Sequence, residues 1–330
     1  MTAVDTTDAA VPTRGSSQAP RRAAPGGARR RRGSALDRAL PYLLLAPAVI
    51  AILWMIGFPV LSVLATSFRK LNLRELTRGQ VVWTGLDNYT QVLSDPEFWA
   101  ISARTVVFTV LVVGSSVLAG LLLALLMRQI SPVVRIVLQV SMLLAWAMPL
   151  LAATTVYQWI FDQQYGILNK TLVRLGFDGF AGFSWFSTGA STLAVIGLLI
   201  VWQAVPFLAF SLYAGAIGIP RDQYEAAGMD GASPWQTFRA VTWPELRPLL
   251  MMVTFLSLLW DFKVFAQIWA IRKGGPDGGS TTLAVYQYLE GISQSHFGVA
   301  AAVSVLMVLL LALLTFQYLR RLVRSQEGAL

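Results

Sequence analysis

An all-α protein that crosses a membrane six times is what this sequence predicts, and three observations carry the prediction. Of the 330 residues, 55% are hydrophobic and 13% charged, with a mean hydropathy of +0.60, a balance foreign to an ordinary soluble domain. Six stretches reach the length of about 20 mostly apolar residues that a bilayer core demands. The longest polar interruption in the second half, residues 222–248, reads DQYEAAGMDGASPWQTFRAVTWPELRP and carries its own helix-start and helix-stop signals.

Residues 1–38 are rich in Ala, Pro, Gly, Ser, Thr and Arg and end near the arginine run 29–32. That composition predicts a disordered basic tail. Arg21 and Arg22, or the run before an apolar stretch, could suggest an export signal. The apolar stretch that follows is too long for one. The spans are expected at 43–68, 105–127, 136–160, 193–217, 249–271 and 299–319, inside a membrane domain 39–325 with a short C-terminal tail 326–330. Five of the six hold no Asp, Glu, Lys or Arg, whereas the fifth holds Asp261 and Lys263.

Lys and Arg in the loops set the orientation. With the N-terminus in the cytoplasm, sixteen basic side chains fall inside and nine outside, eight of the sixteen in the tail. Without the tail the counts nearly match, but the inside residues occupy shorter segments, so both termini and the loop 218–248 are placed in the cytoplasm. The long external segments 69–104 and 161–192 contain aromatic runs, Phe98 with Trp99 and Phe183 with Trp185 and Phe186. An interfacial aromatic belt explains them, and a surface that receives another protein is the alternative.

Within 222–248, Asp222 with Glu225 three residues on reads as a capping-box variant. Asp230 and Gly231 break that helix. Ser233 with Gln236 caps a second one, Pro234 sits at a tolerated first-turn position, and Pro244 is expected to end it. Two short helices with a sharp turn therefore interrupt the membrane pattern.

Chemistry is sparse. There is no cysteine, and His296 is the single histidine, which removes disulfides, thiolate metal sites, thiol nucleophiles and a serine–histidine triad in the membrane. The formal charge of +9 comes largely from the tail, so it does not indicate nucleic acid. The loop GGPDGGST from Gly274 to Thr281 superficially suggests a phosphate loop, but its lysine is missing.

Glu225, Ala226, Ala227, Gly228, Asp230, Gly231, Ala232, Phe238, Pro244 and Pro248 resemble, in type and spacing, the "EAA" loop of binding-protein-dependent ABC importer permeases. Gly85, Leu86, Asn88, Tyr89, Asp95, Phe98 and Trp99 look like the external segment before the second span of sugar permeases. Trp260, Phe262, Val264 and Phe265, with Gly274, Gly275, Pro276, Ser280 and Thr281, resemble the fifth span and outgoing loop of the maltose-type group. Arg272 and Lys273 depart from that group, which favours small or hydroxyl residues there. The resemblance covers about 40–325 and fits the compact six-span members.

The resemblance implies a type I ABC importer permease fold with a cytoplasmic coupling helix. Tyr224, Glu225, Ala226, Ala227, Gly228, Met229, Asp230 and Gly231 would enter a groove of an ATPase subunit, the small residues allowing close approach and Tyr224 and Met229 giving larger contacts. It puts Gln203, Phe207, Ser257, Trp260 and Asp261 at the sugar site. Spacing agrees: Gln203 and Phe207 share one helix face, and so do Ser257, Trp260 and Asp261. A carboxylate and an amide suit sugar hydroxyls, and aromatic rings suit a pyranose face. An ionisable group in a span, such as Asp261, tends to face the bundle interior. The implied partners are a second homologous permease, two ATP-binding subunits that hold ATP and Mg, an external sugar-binding protein and membrane lipid. This chain itself would bind no cofactor, metal or nucleic acid and would not be an enzyme. An ion-coupled carrier using Asp261 and Lys263 is the alternative, and a membrane-embedded enzyme is a third reading, weakened by the lack of Cys and of a usable His.

Overall fold

A computed structural model describes residues 35–327, so most of the expected basic tail and the last three residues lie outside the described residues. The chain divides into two units, one up to Gly57 and one from Phe58 onward. In the first, helix α1 (Ala35–Ile52) passes into a wide π-helical turn at Leu53–Gly57.

The second unit begins with α2 (Phe58–Ser67) and a two-stranded antiparallel ribbon, β1 (Arg69–Lys70) with β2 (Val82–Trp83), around α3 (Leu73–Arg78). After α4 (Asp87–Ser94) come α5 (Pro96–Gln129), α6 (Pro132–Trp146), α7 (Leu150–Ile160) and α8 (Ile167–Arg174). Helix α9 (Gly189–Ile217) is followed by α10 (Arg221–Met229), α11 (Pro234–Thr237), α12 (Trp243–Asp261), α13 (Ala266–Arg272), α14 (Leu283–Tyr288) and α15 (Phe297–Glu327).

Four helical stretches are each long and apolar enough to cross a membrane: Tyr42–Ser67, Pro96–Gln129, Gly189–Ile217 and Phe297–Tyr318. The expected third and fifth spans are bent pairs instead. Helix α6 meets α7 at 101°, and the helical run Pro234–Asp261 meets α13 at 44°, which gives six spans if each pair is counted as one. The first bend has a plain cause. Pro149 has no N–H to donate, its ring opposes helix in the residue before it, and it stands as the N-cap of α7.

Helices α5 and α9 form the centre of the second unit. A side chain at Gly120 would lie 2.7 Å from the Leu208 Cβ and 3.2 Å from the Ala209 backbone nitrogen, so glycine lets the two backbones approach closely. Phe108 and Val112 of α5 pack with Ile196, Leu199 and Ile200 of α9 and with Ile268 of α13. Toward the end that carries α10, Ala124 meets Leu208, Leu212, Leu246 and Leu250. Toward the opposite end, Phe98 and Ile101 join Phe262, Tyr286 and Val303.

Part of each aromatic run in the long loops packs locally. Phe98 is 5% exposed. Trp185 packs on Phe161, Phe180 and Phe183 with ring centroids 5.0–5.6 Å apart, and its indole N–H donates to Asn169 Oδ1 at 2.7 Å. Trp99 and Phe183 remain 56% and 39% exposed. The Gly274–Thr281 loop is also structural. Gly279 abuts Gly189 at the start of α9, Ser280 and Thr281 are buried, and Arg104 of α5 donates to the Gly278 and Thr281 carbonyls at 2.9 and 3.0 Å. Arg272 and Lys273 flank that loop with their cations over Phe186 and Trp269 at 4.8 and 5.9 Å.

Candidate functional site

Two regions stand out, a cavity between α9, α12 and α13 and the exposed stretch from α10 to the start of α12. The cavity depends on two interruptions of helix. Pro206 lies inside α9, where a proline costs one backbone hydrogen bond and bends the rod. Helix α12 stops at Asp261, and residues 262–265 are unwound before α13 begins. This break carries neither Gly nor Pro.

The cavity has a volume of about 500 Å³, and all five residues expected at the sugar site, Gln203, Phe207, Ser257, Trp260 and Asp261, line it. Phe207 and Trp260 face each other with ring centroids 5.5 Å apart and planes at 54°. Ser257 is 3% and Asp261 8% exposed. Asp261 Oδ2 finds no hydrogen-bond partner among the described residues, and a buried acceptor left so is costly unless something else donates to it. The site can therefore accept hydroxyl protons at Asp261 while an aromatic pair covers an apolar face.

Other residues complete the lining, among them side chains not expected at the sugar site. Gln267 Nε2 donates to Gln203 Oε1 at 3.3 Å, orienting that amide, and Trp146 and Phe265 close further parts of the wall. Gln267 follows the unwound segment, so helical spacing from Asp261 does not reach it. Trp146 is brought in by the end of α6 just before the 101° bend. Lys263 lines the same cavity, yet it forms no ion pair with Asp261 among the described residues.

The polar stretch has a backbone that satisfies itself. Helix α10 ends in a Schellman turn, with the Ala232 N–H donating to the Ala227 carbonyl at 3.0 Å and the Gly231 N–H to the Gly228 carbonyl at 3.1 Å. Gly231 holds φ +71°, in the left-handed region that favours glycine. Ser233 and Gln236 form the expected capping box, with Pro234 at the helix start.

Two expectations fail here. Asp222 is not a cap: Pro220, with φ −56° and ψ 138°, is the N-cap two residues earlier, so Arg221 opens α10 and Asp222 lies inside its first turn. A carboxylate there still favours the helix dipole. Glu225 lies in the fifth helical position, too far in to cap. Nor does Pro244 end a helix. A π-helical turn at Phe238–Thr242 widens the chain, Pro244 enters at the first turn of α12, and the run stays helical from Pro234 to Asp261.

The side chains of the stretch divide into anchored and free. Tyr224, expected as an outward contact, turns inward. Its hydroxyl takes a hydrogen bond from Arg128 Nη1 at 2.6 Å and lies 3.0 Å from Thr242 Oγ1, and the Arg128 guanidinium stands 4.4 Å above its ring. Met229 is 86% exposed, and Glu225, Ala226, Gly228, Asp230 and Gly231 are exposed with it, while Ala227 is half-buried. A side chain added at Gly228 or Gly231 would meet nothing within 4 Å among the described residues. Beside the stretch runs an apolar groove of about 850 Å³ between α5 leucines and Trp235, Phe238 and Trp243.

A helical membrane protein with broken spans, an internal polar cavity and a capped helical projection belongs among transport subunits. Residues 116–327 match the family described as "Binding-protein-dependent transport system inner membrane component", and the chain belongs to that family. It is 43% identical over 305 residues to the diacetylchitobiose uptake system permease protein of Streptomyces coelicolor, covering 92% of this chain and 93% of that one. It is 34% identical over 291 residues to the sulfoquinovosyl glycerol transport system permease protein of Agrobacterium fabrum, covering 88% and 92%. The trehalose/maltose transport system permease protein of Thermococcus litoralis is 31% identical over 282 residues, covering 85% and 92%. The fold is shared with a chain of a bacterial ABC transporter that imports the acidic polysaccharide alginate, with a TM-score of 0.73 at 17% identity, covering 88% and 97%.

Proposed function

We propose that this chain is the permease subunit of an ABC importer for a sugar or oligosaccharide and that it works by alternating access. The observation that carries the reading is the convergence of Gln203, Phe207, Ser257, Trp260 and Asp261 on one cavity with an unpaired buried acceptor. A sugar offers the hydroxyl donors that Asp261 lacks and the flat apolar face that Phe207 and Trp260 would cover. The sugars and sugar derivatives in the relatives' names support a carbohydrate. The fold itself, with 17% identity to the alginate importer, says nothing on that point.

In this reading the residues Glu225 to Gly231 dock into an ATPase subunit, which binds ATP and Mg, and Tyr224 carries the motion inward through Arg128 and Thr242. Both termini and this stretch lie in the cytoplasm of a bacterial cell, and the rest of the complex is a second permease, a second ATPase and an external binding protein. The ATPase closes on ATP, the stretch turns with it, and the cavity changes sides. Ion-coupled transport through Asp261 and Lys263 is unsupported: the relatives are ABC permeases, and the two side chains form no pair among the described residues.

The test is uptake of labelled diacetylchitobiose and maltose into vesicles holding the assembled importer. Uptake is expected to require ATP and to survive collapse of the proton gradient. Uptake that stops with the gradient, or that proceeds without ATP, overturns the reading.

A further inference from the structure

At the end of the bundle that carries α10, three arginines from three different elements converge on a small cavity separate from the proposed sugar site, and only Arg128 among them has a part in the transport reading. Arg128 at the end of α5, Arg135 in the first turns of α6 and Arg221 at the start of α10 line a space of about 240 Å³ together with Tyr213. No carboxylate lines it, and none of the three guanidinium groups makes an ion pair among the described residues. Their hydrogen bonds are to neutral groups: Arg128 to the Tyr224 hydroxyl, Arg135 to the Tyr213 hydroxyl at 3.0 Å and to the Ile130 carbonyl at 3.1 Å. Arg135 Nε is buried and has no hydrogen-bond partner among the described residues.

Three like charges around one cavity at a membrane boundary repel one another, and a partly buried cation without a counter-charge is costly. Guanidinium groups are planar forks that match phosphate oxygens two at a time. The surroundings point to where the phosphate comes from. Helix α6 presents Val133, Val134, Ile136 and Val137 at 54–72% exposure on either side of Arg135, and Ile217 beside the cavity is 61% exposed. These apolar surfaces suit acyl chains and would repel a fully hydrated anion's surroundings.

We propose that Arg128, Arg135 and Arg221 form a headgroup site for an anionic phospholipid. Basic pockets between spans are suited to such headgroups on the cytoplasmic face, so the leaflet rests on the orientation proposed above, although the chemistry does not. The bound phosphate would bridge α5, α6 and α10 and so tie the exposed stretch to the lipid surface.

The experiment is native mass spectrometry of the full-length chain with phosphatidylglycerol and phosphatidylcholine present in equal amounts. Wild type is expected to retain phosphatidylglycerol at least about tenfold over phosphatidylcholine, and the double variant Arg135→Gln/Arg221→Gln to lose that preference. Arg78→Gln, an exposed arginine in α3, serves as the charge control and is expected to keep it. Equal retention of the two lipids by wild type, or an equal loss in Arg78→Gln, overturns the proposal. Displacement of phosphatidylglycerol by millimolar inorganic phosphate overturns the lipid as source and assigns the site to a soluble anion. Because the chain has no cysteine, Arg221→Cys can also be probed alone. Efficient disulfide formation, with copper–phenanthroline as oxidant, to a cysteine placed at an acidic position of an ATPase subunit in the assembled importer would give the cavity to a protein partner and likewise sink the proposal. Failure on any of these arms leaves the transport reading standing, since uptake is not the readout.

Discussion

The cavity and the projecting stretch handle polarity in opposite ways. In the cavity the side chains are buried and unfinished: Ser257 and Asp261 are under 9% exposed, and Asp261 Oδ2 has no donor. In the stretch the backbone is finished, with a Schellman turn and a capping box, whereas Glu225 and Met229 are exposed and a side chain added at Gly228 or Gly231 would meet no described residue within 4 Å. In the proposed reading the first region takes the sugar. The second holds a fixed shape against which another surface can close. A groove that must transmit force needs a rigid insert, and a site that must release its cargo needs groups that are not already satisfied.

Gly231→Val should break the stretch most severely. A β-branched residue at φ +71° is strained by about 1–3 kcal/mol, so the turn deforms. Uptake should vanish while the chain still inserts, as judged by membrane fractionation, and normal uptake would remove the docking assignment. Asp261→Ala comes next, and it tests the cavity alone: losing a charge-accepting contact to a sugar hydroxyl is worth about 1.5–3 kcal/mol, or roughly 10- to 100-fold in the sugar concentration for half-maximal uptake. An unchanged concentration dependence would separate Asp261 from the sugar.

Tyr224→Phe sharpens the distinction between anchored and free side chains. It removes the hydroxyl that links Arg128 and Thr242, at a net cost of about 0.5–1.5 kcal/mol per hydrogen bond, and should lower thermal stability and uptake together. If uptake alone falls, Tyr224 touches the partner directly. The smallest effect belongs to Gly228→Ala. Nothing within this chain opposes the new methyl, and Ala in a helix gains about 0.5–1 kcal/mol over Gly, so the isolated chain should melt at a higher temperature. ATP-driven uptake should nonetheless fall if, as proposed, the space the methyl enters belongs to the ATPase subunit. Raised stability with full uptake would show that the wall is not close.

Much of this was legible in the sequence, for reasons that also explain the rest. Hydropathy reports composition, so it found six apolar stretches, but it carries no direction. The 101° bend had a visible signal in Pro149, which the apolar residues on both sides concealed. The break at 262–265 had none, because its Phe, Lys, Val and Phe residues are unwound by packing of Phe262 and Val264 into two different cores. That break is why Gln267 could not be read and why Lys263 shares a cavity with Asp261. Local backbone chemistry was legible where it acts alone, as at Ser233, Pro234 and Gly231. It misled where a neighbour intervened: Pro220 moved the helix start ahead of Asp222, and the π turn let Pro244 pass. Tyr224 illustrates a further limit, since no local pattern says whether an aromatic ring faces its own bundle or a partner.

The most direct test uses the absence of cysteine. Met229→Cys places a single thiol at a position 86% exposed on the projecting stretch, and a thiol-reactive crosslinker can then be applied to the assembled importer. The expected product joins this chain to an ATPase subunit, with Arg78→Cys at the other end of the bundle giving none. Crosslinking of Arg78→Cys to the ATPase, with Met229→Cys silent, would contradict the account.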